Sequence, residues 1–226
     1  MKRALPLFLL SLSLAACSTA PKPSNAWWKS LDDTEPNPED EALSCRGVRS
    51  GSELDSLSSC WPPDAPPLTA PDVRGLEDMS PILRDCLLAG LPARMVEGED
   101  RARCQQGLAE VIDRRLYKLG WLKAQVTPVE NTNGASSRNR LAVQLGPRYR
   151  IGQLFVATGP SQHVEPKKII KHAQKAIPKR RWCTQSALEE IHTRIYDGSK
   201  FQQVQVAIGE LNDTTAQASV IITIQE

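Results

Sequence analysis

The stretch Gly146-Pro147-Arg148-Tyr149-Arg150-Ile151-Gly152-Gln153-Leu154-Phe155-Val156 opens the half of the chain with the clearest pattern. Arg150 to Val156 reads as a strand, bounded by Gly146-Pro147 and by Gly159-Pro160. Pro166 can open a helix with the apolar stripe Ile169, Ile170, Ala173 and Ile177, stopped by Pro178. Ser186 and Glu189 have capping-box spacing ahead of Leu188, Ile191 and Ile195, and Gly198 ends that second helix. From Phe201 to Ile208 apolar residues alternate at Val204, Val206 and Ile208; Asn212-Asp213 supplies a turn. Alternation resumes at Ala218, Val220, Ile222 and Ile224. The order is strand, helix, helix, strand, strand. The last two strands can form a hairpin, and both helices must cover one sheet face to bury their stripes.

Working backward, the pattern repeats at an offset of 79 residues. Cys104 matches Cys183, Ile112 matches Ile191, Leu116 matches Ile195, Tyr117 matches Tyr196 and Leu122 matches Phe201. Leu141, Val143 and Leu145 match Val220, Ile222 and Ile224 in the same register. The matches fall first at helical and then at strand spacing, which points to duplication of a small module. The period is too long for a solenoid repeat.

That order, with Gly146 to Gly152 entering the first strand and Phe201-Gln202-Gln203-Val204-Gln205-Val206 following the second helix, resembles the POTRA domain. This is the polypeptide-transport-associated module of outer-membrane assembly and secretion proteins. In the first copy, Leu119-Gly120-Trp121-Leu122-Lys123-Ala124-Gln125-Val126 looks like the family's helix-to-strand junction. The Gly-Pro-Arg-Tyr link resembles the joint between successive modules in BamA- and TamA-like proteins. The resemblance covers about residues 75–226 and implies an α+β fold of tandem β-α-α-β-β modules. Each would have a three-stranded mixed sheet with two helices on one face. Asp72 to Glu77 makes a poor first strand, so the first module is expected to be degenerate. Family members usually continue from the last such strand into a membrane barrel, whereas this sequence stops at Glu226.

The expected organisation has four parts: a signal peptide at 1–16, a tether at 17–71, the degenerate module at 72–146 and the second module at 147–226. Lys2-Arg3 and the apolar run Leu5 to Leu14 read as a signal peptide. Leu14-Ala15-Ala16-Cys17 resembles the bacterial lipobox, whose cysteine is acylated. An acylated Cys17, carrying palmitate-type chains, would anchor the chain firmly. Ser18 after it resembles the signal for release to the outer membrane, so a periplasm-facing, lipid-anchored position is expected. Residues 18–71 hold nine prolines and the acidic groups Asp32-Asp33 and Glu39-Asp40-Glu41, and read as a disordered tether. Trp27-Trp28 suit either a membrane interface or a docking site on the folded part.

An exported chain permits disulfides. Cys86 and Cys104 lie on the apolar faces of consecutive helices, so a Cys86–Cys104 bridge is expected. Cys45 and Cys60 bracket a Gly/Ser-rich stretch that supports a second bridge, leaving Cys183 as a buried thiol or an intermolecular partner. No Cys-x-x-Cys pair exists and His163, His172 and His192 are scattered, so neither metal nor cofactor is expected.

With 40% apolar and 24% charged residues the chain can bury a core. Beyond the first 20 residues no apolar run is long enough for a multi-span membrane protein. From Cys17 onward 26 basic and 26 acidic residues cancel, which argues against general nucleic-acid binding. The charges separate, however: 17–100 carry 7 basic and 16 acidic residues, 101–226 carry 19 basic and 10 acidic. The histidines have no nucleophile constellation and no phosphate loop appears, so no enzyme is expected.

The resemblance implies a non-enzymatic scaffold or chaperone in outer-membrane protein assembly or secretion. Its partners would be a β-barrel protein or unfolded outer-membrane clients. The expected binding edge is Phe201, Gln202, Gln203, Val204, Gln205, Val206, Ala207 and Ile208, where β-augmentation uses backbone bonds. The second class of reading is a structural envelope lipoprotein that holds anionic lipid, peptidoglycan or a secretion-machine component. It would use the basic patch Lys167, Lys168, Lys171, Lys175, Lys179, Arg180 and Arg181.

Overall fold

Alternation and helical stripes sort the chain into two modules of one plan. A computed structural model describes residues 38–48, 52–55, 57–95, 100–129, 139–158, 165–177, 182–197 and 201–225. The second module runs β4 (Arg150–Thr158), α5 (Pro166–Ala176), α6 (Gln185–Asp197), β5 (Gln203–Asn212) and β6 (Gln217–Gln225). β6 lies in the middle, parallel to β4 and antiparallel to β5. Its alternation sends Ala218, Val220, Ile222 and Ile224 inward, all fully buried. They meet Ile169, Ala173 and Ala176 of α5 and Ala187, Leu188, Ile191 and Ile195 of α6. Each buried Val, Leu or Ile among them contributes roughly 1.5–3 kcal/mol by leaving water. The cap of α6 is Thr184, whose Oγ1 accepts from Ala187 N at 3.2 Å; the expected Ser186 lies inside the first turn.

The first module repeats the plan: β1 (Val73–Arg74), α3 (Pro81–Leu88), α4 (Arg101–Lys118), β2 (Gln125–Pro128) and β3 (Leu141–Gln144). β3 is central, parallel to β1 and antiparallel to β2. The doubtful first strand is therefore present, though only two residues long. Gly75 ends it. Its φ of +87° suits glycine, and a Cβ there would come within 1.9 Å of the Val143 carbonyl oxygen. The 79-residue offset holds for the second helix and the central strand. Cys104 and Cys183 are both buried, and Tyr117 and Tyr196 are 46% and 48% exposed. It fails at the first helices, which begin at Pro81 and Pro166.

Two expectations are corrected in the segment before this module. Residues 38–71 were expected to be tether, yet most of them fold onto the module; residues 1–37 lie outside the described residues. α1 (Pro38–Ser44) packs against α3, and α2 (Ser52–Asp55) follows. Val48, Leu68 and Cys60 are buried, and Leu54, Leu57 and Trp61 pack on the same core. The disulfides are Cys45–Cys86 and Cys60–Cys104, with Cα separations of 6.0 and 5.4 Å, instead of Cys86–Cys104 and Cys45–Cys60. The cysteines of α3 and α4 do face inward, but Cys45 and Cys60 of the preceding segment supply the partners, one for each helix. Prolines and acids made that segment look unfoldable; two covalent links and a handful of apolar anchors offset its ordering entropy.

A charge cluster fastens the same segment. The Glu53 carboxylate accepts from Lys118 and, at 3.4 Å, from Arg115 Nε. Arg115 Nη1 donates to the carbonyls of Leu87 and Ala89, both at 2.8 Å. The side chains of Arg115 and Glu53 are only 2% and 9% exposed. Burial pushes the Glu53 carboxyl up, but the bonds and charges of Lys118 and Arg115 outweigh it and hold it below its ordinary value.

The two modules join tightly. Tyr149 N donates to Gly120 O and Arg148 Nε to Leu119 O, both at 2.9 Å. The Arg148 guanidinium lies between the rings of Trp121 and Trp182, 4.8 and 4.6 Å from their centroids. The β5–β6 turn reaches the same place: Asp213 accepts from Tyr149 Oη and from Lys123 Nζ, each at 2.5 Å. Leu122 of the first module packs on the second core.

Candidate functional site

Among the described residues, β5 pairs with β6 alone, so its other border is open. Strand alternation decides what it shows. Val204 is buried and Val206 and Ile208 pack on the core, while Gln203, Gln205 and Ala207 are exposed. The expected span was Phe201 to Ile208. The strand itself starts at Gln203 and runs on to Asn212; Phe201 and Gln202 precede it, and Gln202 N still donates to Gln225 O at 3.0 Å. A register shift between Ile208 and Leu211 breaks the regular ladder, and there Glu210 N turns to Ser219 Oγ at 2.7 Å. The regularly paired part, 203–208, offers about 20 Å of backbone to a further strand.

The other sheet borders differ. Among the described residues β4 also pairs with β6 as its one strand neighbour, but its first residue, Arg150, is bridged by Trp182, and its ladder shifts between Ile151 and Leu154. β2 has four residues and ends in Pro128, which lacks a donor. β1 has two residues. Charged residues, prolines and shortness guard an edge against pairing. Gln203 to Ile208 has none of these: it is long, free of proline and uncharged.

The basic patch is placed in part. Lys167, Lys168, Lys171 and Lys175 are exposed on α5; Lys179, Arg180 and Arg181 lie outside the described residues. Lys168 pairs with Glu165 at 3.2 Å, and among the described residues that is the ion pair of this face. Cys17 also lies outside them. His172 and His192 are exposed on separate helices, and His192 stacks on Tyr196. Cys183 is buried, and burial pushes its thiol up to about 12, which leaves little thiolate for chemistry. Sequence reasoning missed the Arg148 stack and the Asp213 contacts. Arg148 stands in the link, but Trp121 and Trp182 lie 27 residues before and 34 after it, and spacing alone does not say that they meet.

Similar folds occur among solved structures. POTRA domains 3–5 of Haemophilus influenzae BamA match at 18% identity and a TM-score of 0.37, covering 56% of this chain and 49% of that one. POTRA domains 1–3 of the periplasmic domain of Omp85 from Anabaena match at 13% identity and a TM-score of 0.37, covering 85% and 91%. CdiB from Acinetobacter baumannii matches at 11% identity and a TM-score of 0.37, covering 88% and 35%. The chain thus spans about half the length of the BamA fragment. No family model matches the sequence, and no curated protein does. The fold assignment rests on the element order and strand pairing of this chain itself.

Proposed function

We propose that the chain is a non-enzymatic scaffold or chaperone of outer-membrane protein assembly or secretion, held at the periplasmic face of the outer membrane by lipid on Cys17. The observation that supports it is the open, unguarded border of β5. Extended clients, or an exposed strand of a β-barrel partner, would add there as a fourth strand. Backbone N–H and C=O groups would supply the affinity without demanding one client sequence. Gln203 and Gln205 would flank the added strand without charge to repel it.

A photo-cross-linking residue at Gln205 or Ala207 should capture barrel precursors or a barrel partner in cells, while one at exposed His192 should not. Successive residues point their N–H groups to opposite borders. Gln205→Pro and Val206→Pro therefore remove one ladder donor and one open-border donor between them. The variant that retains its circular dichroism should lose capture, whereas Gln205→Ala should behave like wild type. Capture undiminished in a folded proline variant, or equal capture from His192, would sink the reading.

A further inference from the structure

We infer that the outer face of α5 is a docking surface for an anionic, phosphate-bearing membrane, and that it can be occupied while the β5 border stays open. The inference does not depend on what β5 binds.

α5 divides cleanly. Ile169, Ala173 and Ala176 face the core, so the helix has no apolar side left to insert into a bilayer. Lys167, Lys171 and Lys175 repeat at every fourth residue on the exposed side, with Lys168 beside them. Eight residues of helix make a row of about 12 Å. Among the described residues, Lys167, Lys171 and Lys175 make no ion pair with the chain itself, and one carboxylate, Glu165, meets Lys168. Four exposed ammonium groups spread along one helix face suit a plane of phosphates better than a single bidentate ligand. Lysine acts as a point charge; the fork geometry that recognises one carboxylate belongs to arginine.

The position of α5 gives the second half of the inference. α5 packs against β4 and α6, whereas β5 packs against α6. In the sheet β6 separates β4 from β5. α5 therefore sits over the border opposite to the open one. A membrane against the lysines would meet the helical layer on the β4 side and leave β5 uncovered.

The test uses the full chain with vesicles of pure phosphatidylcholine or of phosphatidylcholine with 30% phosphatidylglycerol. Lysine acetylation followed by mass mapping reads the site itself, independently of any binding by residues 1–17. Lys167, Lys171 and Lys175 should be protected by the anionic vesicles and not by the neutral ones, and 0.5 M salt should abolish protection. The triple variant Lys167→Gln/Lys171→Gln/Lys175→Gln should lose, at the remaining Lys168, the protection that anionic vesicles give the wild-type chain. Its unchanged circular dichroism would show that folding is intact. Protection that is absent, or equal with neutral vesicles, overturns the inference. Equal protection by soluble polyglutamate at the same charge concentration also overturns it, in favour of an acidic protein partner.

Discussion

The first module builds its sheet from strands of two, four and four residues, and the second from strands of nine, nine and ten. Their topology is the same, so the difference shows what else a small sheet needs. Short strands bury little, and domains of this size sit near the limit at which a core suffices. The first module adds a preceding segment that covers its helices, two disulfides and the Glu53–Arg115–Lys118 cluster. The second holds its helices on a long ladder, with Cys183 unbridged. One module is stapled and short-edged. Among the described residues the other has a long free edge.

Breaking the staples should have the largest effect. The bridges join residues 41 and 44 apart, and each is worth about 4 kcal/mol in the chain-entropy model. Cys45→Ser/Cys86→Ser/Cys60→Ser/Cys104→Ser should lower the melting of the first module sharply in calorimetry and leave that of the second nearly in place. If both modules melt together and shift equally, the division between them is wrong.

Arg115→Met comes next. It strips Glu53 of one buried partner and leaves the Leu87 and Ala89 carbonyls without a donor. A loss of about 3 kcal/mol is expected in denaturant unfolding, partly recovered by adding Glu53→Gln. The carboxyl of Glu53 is held below its ordinary 4.5 in the fold. Its contribution is present above that value and is lost as pH falls through the folded one. Glu53→Gln should therefore flatten the acid limb of the stability curve; an unaltered limb would remove Glu53 from the account.

The joint sharpens the comparison, because it decides whether the modules move as one. Arg148→Ala removes the cation from between Trp121 and Trp182, an interaction worth about 1–2 kcal/mol when shielded from water. The expected result is independent tumbling of the two modules in NMR relaxation with both folds kept. Common tumbling in the variant would show that Tyr149, Leu122 and Asp213 suffice.

The smallest effect is alkaline. Burial, then the bond to Asp213, pushes Tyr149 up to about 12 from its ordinary 10. A raised value means that the contribution is complete below pH 10 and disappears as pH climbs to about 12. Tyr149→Phe should cost about 1 kcal/mol at neutral pH and soften the alkaline fall. Some fall should remain, since ionising the buried Cys183 also opposes folding there. An alkaline limb identical to wild type would remove Tyr149 from it.

The elements of the second module and their buried faces were legible, though not the cap of α6 or the ends of β5. Val220, Ile222 and Ile224 alternate because one face of a strand meets a core, and Ile169 and Ala173 recur because a helix buries one stripe. The same local rule exposed Gln203 and Gln205, so the character of the candidate edge could be read before its place was known. The first module was legible only where its period was long, in α4; a two-residue strand at Val73 has no period to detect. Pairings between distant residues were beyond reading. Cys86 and Cys104 both face inward in either disulfide scheme, and spacing along a helix gives direction but no partner. Glu53 meets Arg115 across 62 residues and Tyr149 meets Asp213 across 64, contacts set by how rigid elements pack after they form. Sequence by itself determined the order of elements in the second module, their buried faces and the 79-residue match between the second helices and central strands, since each follows from local periodicity. The tertiary structure alone decided which cysteines bond, that the described residues of 38–71 belong with the fold, and that β5 and the lysines of α5 stand at opposite borders of one sheet. Those outcomes depend on three-dimensional proximity, which local periodicity does not encode.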